Sequence, residues 1–240
     1  MAKPTIVLVH GAFADAASWA PVTRELLDRG YDVRVPPVYN RSLGEDAASI
    51  KAFVETIDGD VVLAGHSYGG AVITVAGEAA NVVALVYVSG YVLEVGESLG
   101  QLQGGFPDSE LAANLVYTPY PVPGSDEPGT DVSVAIAAFP EVFAAGVDLA
   151  RAQVLAVSQR PLSAAAFSEP ATFAAWKTKP AWGIVSSEDH TINPEVERFG
   201  YTRAGLRGIV ELPAPHLAMQ SHPMEVADLI ETAVSEVTAS

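Results

Sequence analysis

The stretch Val61-Val62-Leu63-Ala64-Gly65-His66-Ser67-Tyr68-Gly69-Gly70 decides how this chain folds. An apolar, β-branched run ends in Gly65-x-Ser67-x-Gly69, and an apolar helical stretch follows. A serine on so sharp a strand-to-helix turn has to take a strained backbone. The flanking glycines keep side chains out of the way of the strand and helix that converge there. The turn lifts the hydroxyl to the carboxyl edge of a sheet. The backbone N–H of Tyr68 and the start of the helix then face any oxyanion that forms on a bound carbonyl. Ser67 is therefore the candidate nucleophile.

Outward from this turn the pattern is strand, helix, strand, helix. Strands are predicted over Ile6–Val9, Tyr31–Val35, Asp60–Ala64 and Val82–Ser89. Helices are predicted over Ser18–Arg29, after the capping pattern Ser42-x-x-Glu45, and over Tyr68–Glu78. This alternation demands a parallel sheet with helices on both faces. It breaks off at Tyr91 and resumes at Ala181–Ser186, followed by an Asn193-Pro194 helix start, a strand over Gly208–Leu212 and a helix over Met224–Val237. About half of the prolines and of the aromatic residues fall between the two parts. The expected organisation is a core of residues 1–90 and 179–240 with a cap inserted at 91–178, built of short helices and turns. The expected sheet has six strands, all parallel.

The 240 residues are 49% apolar and 18% charged, a balance that packs a core and excludes bulk disorder. The net charge of −16 repels nucleic acid and anionic membrane surfaces. The apolar run Val82–Val88 is far shorter than the ~20 residues of a membrane span. There is no cysteine, which removes disulfides, thiol nucleophiles and zinc–thiolate sites. Met1-Ala2-Lys3-Pro4 leads straight into the first strand without a signal-peptide core, so the expected location is cytoplasmic.

A serine nucleophile needs a base, and the base needs an orienting acid. His216 follows the last strand after Pro213-Ala214-Pro215, at the carboxyl edge of the sheet, and is the favoured base. His222, against Pro223, is second. Asp189 follows the strand Ala181–Ser186 and is the favoured acid, with Glu188 beside it and Glu94 and Glu97 after the fourth strand as rivals. The order is then Ser67, Asp189, His216, the nucleophile–acid–base order of one class of serine hydrolases. His10-Gly11-Ala12-Phe13 directly after the first strand puts the N–H of Ala12 in place as a second oxyanion donor. His10 holds loop backbone in this reading, and the side chain of His66, next to Ser67, points away. No metal site is implied.

These segments resemble the α/β-hydrolase superfamily over nearly the whole chain. The likeness is to small bacterial carboxylesterases related to the plant methylesterase and hydroxynitrile-lyase group. It is carried by Val7–Phe13 with Trp19, Gly65–Gly70, Glu188–Ile192 and His216–Pro223. The resemblance implies a triad of Ser67, Asp189 and His216, oxyanion donors at Ala12 and Tyr68, and no cofactor. Hydroxynitrile lyases of the group carry a lysine after the catalytic histidine and a threonine after the first-strand histidine. Leu217 and Gly11 stand there instead, which argues against cyanide elimination.

The expected activity is hydrolysis of small, uncharged, largely apolar carboxylic esters by a monomer or homodimer. Phe13, Tyr91, Phe106, Tyr120, Phe143 and Trp176 are the candidate pocket residues. The same triad would serve a lactonase or an acyltransferase. Cofactor-free haloperoxidase or dioxygenase chemistry, or a non-catalytic binding role, are the remaining alternatives.

Overall fold

The computed structural model describes residues 3–239. Its first half runs β1 (Thr5–Val9), α1 (Ala20–Asp28), β2 (Val33–Arg34), α2 (Leu43–Glu55), β3 (Val61–His66), α3 (Tyr68–Ala76) and β4 (Val82–Val88). Then come α4 (Leu99–Gln103), β5 (Leu115–Tyr120), β6 (Gly129–Val134), α5 (Phe139–Val142), α6 (Leu149–Ser158), β7 (Leu162–Ser163) and α7 (Ala165–Ser168). The chain ends with β8 (Ala181–Ser186), α8 (Pro194–Ala204), β9 (Gly208–Leu212), α9 (Ala218–Ser221) and α10 (Pro223–Thr238).

Six strands form one sheet in the order β2-β1-β3-β4-β8-β9, and every pairing is parallel. Helices cover both faces. α1 packs with α10 in one layer and α2 with α3 in the other. Every residue of β1, β3 and β8 is buried. Such strands need continuous apolar runs rather than alternation. Each valine, leucine or isoleucine they bury contributes about 1.5–3 kcal/mol by transfer from water.

Local chemistry sets the element ends. The Ser42 side chain accepts from Glu45 N at 3.2 Å and caps α2. Asn193 caps α8 through Glu195 N, with Pro194 in the first turn and Gly205 at φ 62° closing it. The strand predicted over Tyr31–Val35 pairs only at Val33 and Arg34. It lies at the edge of the sheet and runs into Pro36-Pro37, which has no N–H to give.

The expectation of helices and turns in 91–178 is incomplete. The segment also holds a three-stranded antiparallel sheet, β5-β6-β7. β5 is an exposed edge strand that carries Pro119. Exposure on both faces erases its alternation, and an edge tolerates the proline. In β6 only Val132 and Val134 turn inward, a period-two signal two residues long.

Candidate active site

The strand β3 delivers Ser67 at its carboxyl end with φ 54° and ψ −124°. The backbone is held there from several sides. Ser67 N donates to Val88 O at 3.2 Å, and its carbonyl accepts from Gly70 N at 2.9 Å and Tyr91 N at 3.3 Å. The glycines are required by contact. A Cβ on Gly65 would run into Gly69 O, and one on Gly69 into Val9 O. A Cβ on Gly11 would come within 2.8 Å of the Ser67 Cβ and 2.9 Å of His66 O. The loop after β1 therefore lies directly against the serine turn, with Ala12 and Phe13 next in line. Tyr68 opens α3, where a first-turn N–H has no intrahelical acceptor.

Asp189 and His216 meet across the carboxyl edge. His216 Nδ1–H donates to Asp189 Oδ2 at 2.6 Å, with both groups buried. Asp189 Oδ1 accepts from Thr191 N at 2.6 Å and Ile192 N at 2.9 Å, which fixes the carboxylate. Because Nδ1 carries the proton, Nε2 presents a lone pair. It is buried and has no hydrogen-bond partner among the described residues. The Phe143 ring packs on the imidazole at 5.1 Å and on Phe13 edge-on at 5.7 Å.

The two remaining inner histidines are neutral. His10 Nδ1–H donates to Gly11 O and Nε2 accepts from Val38 N, each at 2.9 Å, so this ring ties two loops together. Burial lowers its pKa. His66 lies against His216, with ring centroids 4.6 Å apart, and its Nε2–H donates to the His216 carbonyl at 2.9 Å. Burial first, and then the neighbouring His216, hold its pKa well below that of a free imidazole. The expectation that His66 merely points away misses this contact, because nothing local in the sequence brings the loop after β9 beside β3.

Around Ser67 is a cavity of about 20 Å³, room for about one water. Ala12, Phe13 and Tyr68 line it from the core side; Tyr91, Leu99, Leu111, Leu162 and Phe167 close it from the 91–178 segment. Thr191 and Ile192 complete it, and no charged side chain enters. Phe106, Tyr120 and Trp176 lie elsewhere. Phe106 packs on Phe199, Tyr120 contacts Ser163 and Arg41, and Trp176 donates to Leu93 O. Nothing in the sequence marks these leucines, since leucine serves equally in any core.

His222 bonds Ser221 beside it, and Glu97 pairs with Arg203, so neither joins the cluster. Glu94 pairs with the Lys177 ammonium. Beneath Tyr68, the hydroxyl donates to the buried Asp46 carboxylate at 2.7 Å. Burial raises the pKa of Asp46 despite that bond.

The chain belongs to the alpha/beta hydrolase family, whose model matches residues 6–229. It is 30% identical over 258 residues to a probable hydrolase, R7, of a Phoma species, covering 96% of this chain and 98% of that one. Among solved structures it resembles a polyneuridine aldehyde esterase, with a TM-score of 0.84 and 19% identity over 96% of this chain and 99% of that one. A methylesterase from Arabidopsis matches with a TM-score of 0.79 and 17% identity over 97% and 99%. A pyrethroid hydrolase from Sphingobium faniae JZ-2 matches with 0.77 and 19% over 99% of each chain. At these identities the structures share the fold. No helix among the described residues is long and apolar enough to cross a membrane.

Proposed function

We propose that this chain is a serine esterase acting on small, uncharged carboxylic esters through an acyl-enzyme. The observation that carries this reading is the 2.6 Å Asp189–His216 hydrogen bond, which leaves the Nε2 lone pair buried and unpartnered. The imidazole it orients lies beside the strained Ser67 turn through His66. Nε2 takes the Ser67 proton as Oγ attacks the ester carbonyl. The N–H groups of Ala12 and Tyr68 receive the oxyanion. Asp189 holds the tautomer and stabilises the imidazolium. His216 then gives the proton to the departing alkoxide, which leaves as the alcohol. Water, deprotonated by the same nitrogen, attacks the acyl-enzyme and frees the acid and Ser67.

The apolar cavity without a charged side chain supports neutral acyl groups, and its size supports short ones. The 91–178 segment acts as the cap that closes over them. The test is release of p-nitrophenol from acetate and octanoate esters by wild type and Ser67→Ala. The expected result is hydrolysis, faster on acetate, that disappears in the variant. Hydrolysis that survives Ser67→Ala sinks the nucleophile assignment. A folded wild type inert on both esters favours a lactonase or a binding role.

A further inference from the structure

Behind the Asp189–His216 pair lies a second carboxyl group that the mechanism above does not use. Glu197 sits on α8 with no exposed surface. Its Oε2 accepts from Ser186 N at 2.9 Å, which anchors it to the end of β8, directly before the Asp189 loop. Its Oε1 is buried and has no hydrogen-bond partner among the described residues. Asp189 is the charged group beside it. From the segment after β4 it faces Tyr91, and from its own helix Tyr201 and Arg198. The Tyr91 hydroxyl donates to Gln103 and that of Tyr201 to Ile184 O. The Arg198 guanidinium is engaged on the exposed side by Glu195 and Glu211.

Among the described residues the one cation near it, Arg198, is thus already paired by two other carboxylates. Two like charges side by side away from water repel strongly, and one of them takes up a proton. Asp189 already receives three hydrogen bonds, from Thr191 N, Ile192 N and His216 Nδ1. Glu197 receives one. The proton therefore belongs on Glu197, and burial, followed by the Asp189 charge, drives its pKa upward. A carboxylic acid that accepts through Oε2 has a hydroxyl left at Oε1.

We propose that Glu197 is a positioning residue that stays protonated through neutral pH and offers its Oε1 hydrogen to Asp189, leaving Asp189 the sole negative charge behind His216. This rests on the assignment of Ser67, Asp189 and His216 above. The role has two consequences. The carboxylate that aims His216 is itself held from behind, and the imidazolium formed in each turnover meets one counter-charge and not two.

Glu197→Leu removes both oxygens. With p-nitrophenyl acetate, kcat falls about 10–100-fold with KM little changed, the size seen when a hydrogen bond behind a functional ligand is lost. Glu197→Gln, which keeps an acceptor and a donor, recovers most of that loss. A kcat untouched in Glu197→Leu overturns the role. The sign of a pH shift tests the charge. In Glu197→Gln the acid limb of the pH–rate profile stays within about 0.3 unit of wild type or moves up. A fall of about a unit or more means that the wild-type side chain was an anion, and overturns the proposal.

A third measurement is independent of activity. At pH 7, wild type and Ser67→Ala show an infrared carbonyl band of a buried carboxylic acid that Glu197→Gln lacks, so that it stands out in the difference spectrum between them. Absence of that band overturns the proposal even if the esterase reading holds. The band without Ser67-dependent hydrolysis sinks the esterase reading and the positioning role with it, while the proton on Glu197 stands.

Discussion

The Ser67 turn and the β5–β6 hairpin are both places where two strands or a strand and a helix converge, yet they are built in opposite ways. Around Ser67 every residue from Val61 to Ala71 is buried, and backbone presses on backbone so closely that Gly65 and Gly69 have no room for a methyl group. In the 91–178 segment, Val116, Tyr117, Ile136, Val154 and Val157 stand in solvent, and β5 leaves one edge unpaired. The first region is fixed by sterics, where one atom decides the outcome. The second is held by a few seams to the core, among them Thr191 Oγ1 to Val142 O at 2.7 Å and Arg41 to Asp131 at 2.8 Å. Chemistry that needs tenths of an ångström is expected on the first, and adaptation to substrate shape on the second.

The largest test of that contrast is Ser67→Ala, which should lower kcat/KM for p-nitrophenyl acetate by about 10³–10⁶-fold while the melting temperature barely moves. Asp189→Asn should follow at about 10⁴-fold, because the wrong tautomer then faces Ser67. A loss under tenfold in steady-state kinetics would hand the acid role to Glu188. Gly65→Ala should destabilise the fold by about 1–3 kcal/mol or more in urea unfolding, since its Cβ meets the Gly69 backbone and not a movable side chain.

Stability should also fall with acid. His10 and His66 are buried neutral, with folded pKa values below the unfolded value of about 6.5. The unfolded chain therefore binds more protons below that pH. Their contribution is complete above about 6.5 and is lost as pH drops, by up to about 1.4 kcal/mol per group per unit. Glu197 works in the other direction, since its folded pKa is raised. It costs stability as pH climbs above about 4.5, so Glu197→Gln should gain on wild type from pH 5 to 7.5 in thermal melts. A constant gap between the two would contradict a protonated Glu197. The smallest effect belongs to the exposed face of α6. Val157→Ser should change stability by no more than about 0.5 kcal/mol and leave ester hydrolysis alone.

The parallel sheet is legible in the residues alone, because fully buried strands must be continuous apolar runs and helices must show their own period. So is the Ser67 turn, since glycine spacing records backbone contacts that no other residue permits. The same logic put Asp189 and His216 at strand ends, where loops converge. What lies between those loops depends on how the folded chain packs. That His66 touches His216 and that leucines at positions 99, 111 and 162 close the cavity are contacts across many residues of chain, and that Glu197 sits behind Asp189 depends on how α8 packs on the end of β8. A buried glutamate on α8 has the letters of an ordinary helix surface, Pro194-Glu195-Val196-Glu197-Arg198, until the fold turns one carboxylate to solvent and the other inward. The hairpin of 115–134 escaped for the complementary reason. Half-exposed strands bury too little to impose a period, and pairing in the folded chain supplied what the pattern lacked.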